Sequence, residues 1–123
     1  MLVDALNDFG LSLFRAVSPR DENFFFSPVS VAAALGMLLP GTRGETAQEL
    51  SRALGLNVQG YEAMAALLSG ASSDSVKMAN RVWSHSVVPL EPEFLKALSK
   101  VWRASVGVLD FAQPVSACAE ING

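Results

Sequence analysis

The chain carries one cysteine, Cys118, and one histidine, His85, in 123 residues. A lone thiol forms no intrachain disulfide, and one Cys with one His cannot supply the four ligands of a structural zinc site. Neither a metal nor a cofactor is expected. Lys and Arg total nine, no run of them occurs, and the net charge is −3. The basic face that neutralises phosphates is missing, so nucleic acid is not an expected partner. No apolar run is long enough to span a membrane, and no signal-peptide core occurs: Met1 leads straight into an amphipathic pattern at Leu2, Leu6 and Phe9. These absences lean towards a cytosolic start and no membrane partner. An extracellular location stays open if a leader was removed.

Half of the residues are hydrophobic and only 17% are charged. That is too apolar for a disordered tail and rich for a small soluble domain. Two readings follow: a compact helical core, or a piece of a larger protein that carries surface meant for the remainder.

The order of elements is helix, short strand, three helices, strand, helix, strand and helix. Leu2, Leu6, Phe9, Leu13 and Val17 repeat at helical steps, which predicts a helix over 2–17. Phe24-Phe25-Phe26 is a short strand candidate. Ser27-Pro28 then combines a preferred N-cap with proline at the first helical position. The helix that follows, Val29 to about Leu39, is apolar almost all round and so must be buried on several sides. Thr46-Ala47-Gln48-Glu49 has the spacing of a capping box, and Gly55 is placed to stop the third helix. A fourth, weaker helix covers 61–69. Ser75 to Trp83 alternates as a strand, with Val76, Met78, Asn80 and Val82 on one side. Phe94, Leu98, Val101 and Trp102 stripe another helix, Val106 to Phe111 is a second strand, and Pro114 opens a last helix. With two strands so far apart in sequence, the class is α+β, with a sheet to be finished by other residues.

Catalytic chemistry finds little support. Ser84-His85-Ser86 puts hydroxyls beside the imidazole, but a nucleophile and its base must meet in space, and no Gly-x-Ser-x-Gly elbow is present. The protein is therefore not expected to be an enzyme. Cys118 is expected to be a small buried or half-buried residue rather than a reactive thiol. Gly41-Thr42-Arg43-Gly44 between two helices fits the Gly-x-x-Gly loop of a KH domain, which would make the chain a nucleic-acid binder; its acidic balance opposes that.

One family resemblance covers nearly the whole chain. Asn23-Phe24-Phe25-Phe26-Ser27-Pro28-Val29-Ser30-Val31, then Ala34-Leu35-Gly36-Met37-Leu38, Gly41, Gly44, Thr46, Gln48 and Leu50, resembles the serpin signature around the second and third helices. Met78-Ala79-Asn80-Arg81-Val82-Trp83 looks like a strand of that family's central sheet. Phe94, Asp110-Phe111 and Ala119-Glu120-Ile121-Asn122 match further family positions in order. Pro40 and Thr42 depart from the pattern, both in a turn.

The resemblance implies a serpin-like α+β fold: amino-terminal helices plus two strands of an incomplete central sheet. Residues 1–123 would be the amino-terminal part of a single domain about three times as long. Family inhibitors are suicide substrates that change conformation when a protease cuts an exposed reactive loop, which then enters the central sheet as a new strand. That loop lies near the carboxyl end, so it is expected to be absent from this chain. The implied partners are a serine or cysteine protease for a full-length form, and the missing carboxyl-terminal part of the same fold. Ser27 and Ser30 match the shutter region, where small hydroxyls help control the opening of the sheet, although Ser27 also reads as an ordinary helix cap. Asn80 reads either as a hydrogen-bonding residue of the sheet or as a satisfied core amide. Gly60 to Ser73 contains no Lys or Arg, so no heparin site is expected on the fourth helix. A non-inhibitory serpin-like binder or chaperone is the main alternative, and a KH-like nucleic-acid binder the second.

Overall fold

A computed structural model describes residues 1–70 and 79–123. Its elements run α1 (Leu2–Val17), α2 (Pro28–Leu38), a single 3-10 turn (Leu39–Gly41), α3 (Gly44–Leu54), α4 (Val58–Gly70), β1 (Arg81–His85), α5 (Pro92–Lys100), β2 (Ser105–Leu109) and α6 (Pro114–Asn122). The class is α+β, as the order of sequence patterns requires.

Helix α1 lays Leu2, Leu6, Phe9 and Leu13 against the core, while Val17 stays outside it. Its Gly10 lets α2 approach: a Cβ there would sit 2.9 Å from Cβ of Pro28. Helix α2 buries Ala32, Ala33, Gly36 and Met37, yet Val29 and Leu38 remain exposed. Trp102, Leu54, Met64 and Leu98 are the largest fully buried side chains, so α3, α4 and the end of α5 close the core around α2.

Three local expectations are corrected. Phe24-Phe25-Phe26 forms no strand. The rings of Phe24 and Phe26 instead cluster with Phe14 of α1, at centroid distances of 5.3–6.5 Å. Aromatic content favours a strand only when a neighbouring strand accepts its backbone. The capping box at Thr46 is not used, because α3 starts two residues earlier. Gly44 turns the chain into the helix with φ +57, a conformation glycine adopts without a Cβ penalty. The turn before it is tied by Thr42 Oγ1, which donates to the Leu39 carbonyl at 2.7 Å, and by the Arg43 guanidinium, which donates to Pro40 O and Thr42 O. Helix α4 begins at Val58, three residues before the expected start. Asn57 supplies the cap: its Oδ1 accepts from the Gly60 N–H at 2.7 Å. Gly55 closes α3 in the left-handed conformation, as expected.

The two strands pair with each other. They run parallel, with Val82 opposite Val106 and Trp83 opposite Gly107, and α5 lies in the crossover. An alternating pattern shows which face of a strand is buried but not which strand it joins. Val82 and Val106 pack on the core, while Arg81 and Trp83 take the other face. The expected first strand reaches back to Ser75, and its segment 75–78 lies outside the described residues. Its observed part runs on to His85. The second strand ends at Leu109; Asp110 Oδ1 then accepts from the Ala112 N–H at 2.9 Å and bends the chain away.

Candidate functional site

The residues singled out in the sequence lie in two places. Ser27 and Ser30 share the start of α2. Ser27 Oγ accepts from the Ser30 N–H at 3.3 Å and from the Ser30 hydroxyl at 3.1 Å. Ser27 is thus an N-cap, and both serines are exposed. Neither hydroxyl bonds to Asn80 or to a strand among the described residues. Asn80 immediately precedes β1 and is half-buried; its carbonyl accepts from the Ser105 N–H at 3.1 Å, which starts the β1–β2 ladder. Its side-chain amide makes no hydrogen bond with the described residues.

The sheet has a stacked outer face that the sequence did not announce. Trp83 lies directly over Gly107, whose missing side chain makes room: a Cβ at Gly107 would overlap ring atoms Cζ3 and Cε3. On the same face the Arg81 guanidinium carbon stands 3.9 Å from the Trp83 ring centroid, a cation–π contact. Glycine inside a strand marks close approach by another group, and that was the available signal. Among the described residues each strand is paired on one side only, so β1 and β2 both keep an open edge.

The single histidine stands at the carboxyl end of this sheet. His85 Nδ1 is 3.3 Å from the Leu109 carbonyl oxygen, accepts the Phe111 N–H at 3.3 Å and lies 3.9 Å from Asp110 Oδ1. No serine hydroxyl bonds to it among the described residues. It joins the two strand ends, and a nucleophile–base pair is not assembled. Cys118 is exposed, against the expectation of burial, with Asn122 Nδ2 donating to its sulfur at 3.2 Å. Helix α6 buries only Ala117, so Cys118 beside it remains open.

On the core side one polar pair is fixed. Trp102 Nε1 donates to the Tyr61 hydroxyl oxygen at 2.7 Å, and the rings meet edge to face at 5.8 Å. Burial pushes the Tyr61 phenol above its ordinary value, the Trp102 bond pulls it down, and the charge of Glu62 pushes it up. Burial prevails, so Tyr61 keeps its proton through neutral pH.

An amino-terminal helical layer packed on a parallel strand pair with open edges defines a fold unit of the serpin type, and comparison with known proteins gives the same answer. The chain belongs to the serpin (serine protease inhibitor) family, whose model matches residues 4–123. It is 33% identical to a leukocyte elastase inhibitor of Xenopus tropicalis over 98% of this chain and 35% of the relative. Among solved structures it superposes on a cleaved serpin 42Da with TM-score 0.82 and 29% identity, covering 96% of this chain and 33% of that one. Human thyroxine-binding globulin gives TM-score 0.83 and 27% identity, with 98% and 36% covered. The chain therefore spans about a third of the length of the relatives it matches. The family is one of protease inhibitors rather than enzymes, and membership displaces the KH alternative: the Gly41–Gly44 loop is a serpin turn whose arginine is spent on its own carbonyls.

Proposed function

We propose that residues 1–123 form the amino-terminal part of one serpin domain, and that the complete domain inhibits a serine or cysteine protease by taking a cleaved loop into the sheet begun by β1 and β2. The observation that carries this reading is that, among the described residues, both strands keep an open edge beside a half-buried Asn80 amide with no bond. An open edge is a row of backbone donors and acceptors that a further strand satisfies. Surface area supports the same view. The chain exposes 8625 Å², whereas a folded monomer of its mass exposes roughly 6,300 Å². Some of that excess is apolar, at Phe25, Val108 and Val115. In this reading Ser27 and Ser30 form a hydroxyl pair whose mutual bond can be exchanged when strands part. In this reading the protease-contacting loop lies outside these residues, and the chain alone does not inhibit.

The test is a chimera in which residues 1–123 replace the matching third of a leukocyte elastase inhibitor. Incubated with elastase, the folded chimera should give a covalent complex that survives SDS, and the chain alone should give none with trypsin-like, elastase-like or papain-like proteases. A complex with the chain alone, or a folded chimera that is merely cleaved, overturns the proposal. A non-inhibitory binding role is the second reading, favoured by the likeness to thyroxine-binding globulin. It predicts that the protein's own complete form is cleaved by proteases without trapping any of them.

A further inference from the structure

A groove of about 640 Å³ opens between α3, α4 and the 3-10 turn, away from the sheet and its open edges. Leu39, Pro40, Ala47 and the buried Leu56 give it apolar walls, Gln48, Ser51, Asn57 and Tyr61 add neutral polar groups, and Arg52 is the charged residue of the lining. The volume lies within the range of small-molecule sites, and an apolar lining with a few placed polar groups is their usual chemistry. The arginine carries the argument furthest. Its guanidinium forms no ion pair among the described residues. Asp4 and Asp8 of α1 border a neighbouring cleft that Arg52 also lines, yet neither reaches it as a salt bridge. A second polar group is Tyr61, whose hydroxyl oxygen already accepts from Trp102 and whose own proton has no acceptor among the described residues. The groove thus offers one cation and several neutral donors, the Tyr61 O–H among them, beside an apolar trough, with no acidic residue among the described residues that line it.

We propose that this groove binds a small amphiphilic carboxylic acid, its chain along Leu39, Pro40 and Leu56 and its carboxylate on Arg52 and Tyr61. Guanidinium suits a carboxylate because its donors form a fork that matches the two oxygens. A neutral alcohol of equal length would keep only the apolar contacts, and a quaternary ammonium would be repelled. Protease inhibition plays no part in this inference, which stands or falls separately.

The probe is decanoate below its micelle concentration, added to the chimera, with the unmodified elastase inhibitor as the blank. Replacing other tryptophans with phenylalanine leaves Trp102 to report, because its indole is bonded to Tyr61. Decanoate should shift the Trp102 emission saturably and bind about tenfold more tightly than decanol, and decyltrimethylammonium should bind more weakly still. Arg52→Gln should remove that tenfold preference and leave decanol binding unchanged. Ala47→Phe, on the half-exposed side of α3, should fill the groove and abolish binding of both probes. Circular dichroism and the unliganded Trp102 emission check that each variant is folded. Equal affinity for the three head groups, a preference that persists in Arg52→Gln, or undiminished binding in folded Ala47→Phe would each overturn the proposal, and so would no saturable shift at all.

Discussion

Gly36 stands in the middle of α2, where glycine costs a helix about 0.5–1 kcal/mol relative to alanine. On propensity alone, Gly36→Ala should stabilise. The packing around it reverses the sign. An added Cβ would overlap the terminal methyl of Met64 and would sit 2.9 and 3.0 Å from Cζ2 and Cη2 of Trp102. Met64 ends in a flexible thioether, but it is fully buried with nowhere obvious to move. The indole is stiffer still, pinned at Nε1, beside the same edge, by the 2.7 Å bond to Tyr61. Overpacking of this kind costs about 1–3 kcal/mol, which exceeds the propensity gain. A net loss of about 1 kcal/mol is expected. Urea unfolding of the chimera followed by far-ultraviolet circular dichroism measures it, with a lower midpoint at an unchanged slope. The double variant Gly36→Ala, Trp102→Phe should lose less than the sum of its two parts, because the smaller ring gives the methyl room. A raised midpoint for Gly36→Ala, or strict additivity with Trp102→Phe, would refute the packing argument.

Ser30→Phe in the chimera should lower its melting temperature and yield polymers after mild heating, because the ring breaks the hydroxyl pair at the start of α2; a monomeric sample with unchanged melting would count against the shutter role. Tyr61 has a raised value in the folded state, so its contribution is fully present below its unfolded value of 10.0 and is lost as pH climbs through the higher folded one. Stability should therefore fall in alkaline solution above about pH 10, and Tyr61→Phe should flatten that fall; identical profiles for the two proteins would dismiss the assignment. The chain alone should be prone to oligomers and should bind hydrophobic dyes, and adding the complementary carboxyl-terminal piece should suppress both. A sharp cooperative melt of the isolated monomer would show that its uncovered apolar surface matters less than supposed.

Helices were the legible part of this fold, and the reason is local. The α1 stripe, the Ser27-Pro28 start and the Gly55 stop are each written in residues within a turn or two of one another. Errors arose where a distant partner decides. Phe24 to Phe26 has the composition of a strand, yet α1 offers rings rather than backbone, and rings won. The parallel pairing of β1 with β2 depends on a register set across 24 residues, and neither strand names its partner. Of the site, the Ser27–Ser30 contact was readable from spacing, since an N-cap side chain reaches the third residue of its helix. Trp83 over Gly107 was not, because it exists only after the two strands meet.

The two sides of the molecule differ in how completely their polar groups are satisfied, and that difference bears on function. Around Trp102 the hydrogen bond to Tyr61, the buried leucines and Met64 leave no polar atom unpaired, and an inserted methyl has no room. A packed region of this kind has one arrangement, since any alternative forfeits contacts that nothing replaces. The sheet is different. Among the described residues each strand bonds to a neighbour on one side only, the Asn80 amide has no bond, and the hydroxyls of Ser27 and Ser30 bond only within that pair. Groups of this kind can change partners at small cost, because each bond lost is replaced by an equivalent one. Under the proposed function, in which the sheet takes up a strand late, that asymmetry has a use: a rigid helical layer holds the sheet's register, and the sheet's hydrogen bonds are not all committed. The Trp83 ring over Gly107 fits the same logic, since it fixes β1 to β2 on the outer face while leaving both outer edges open.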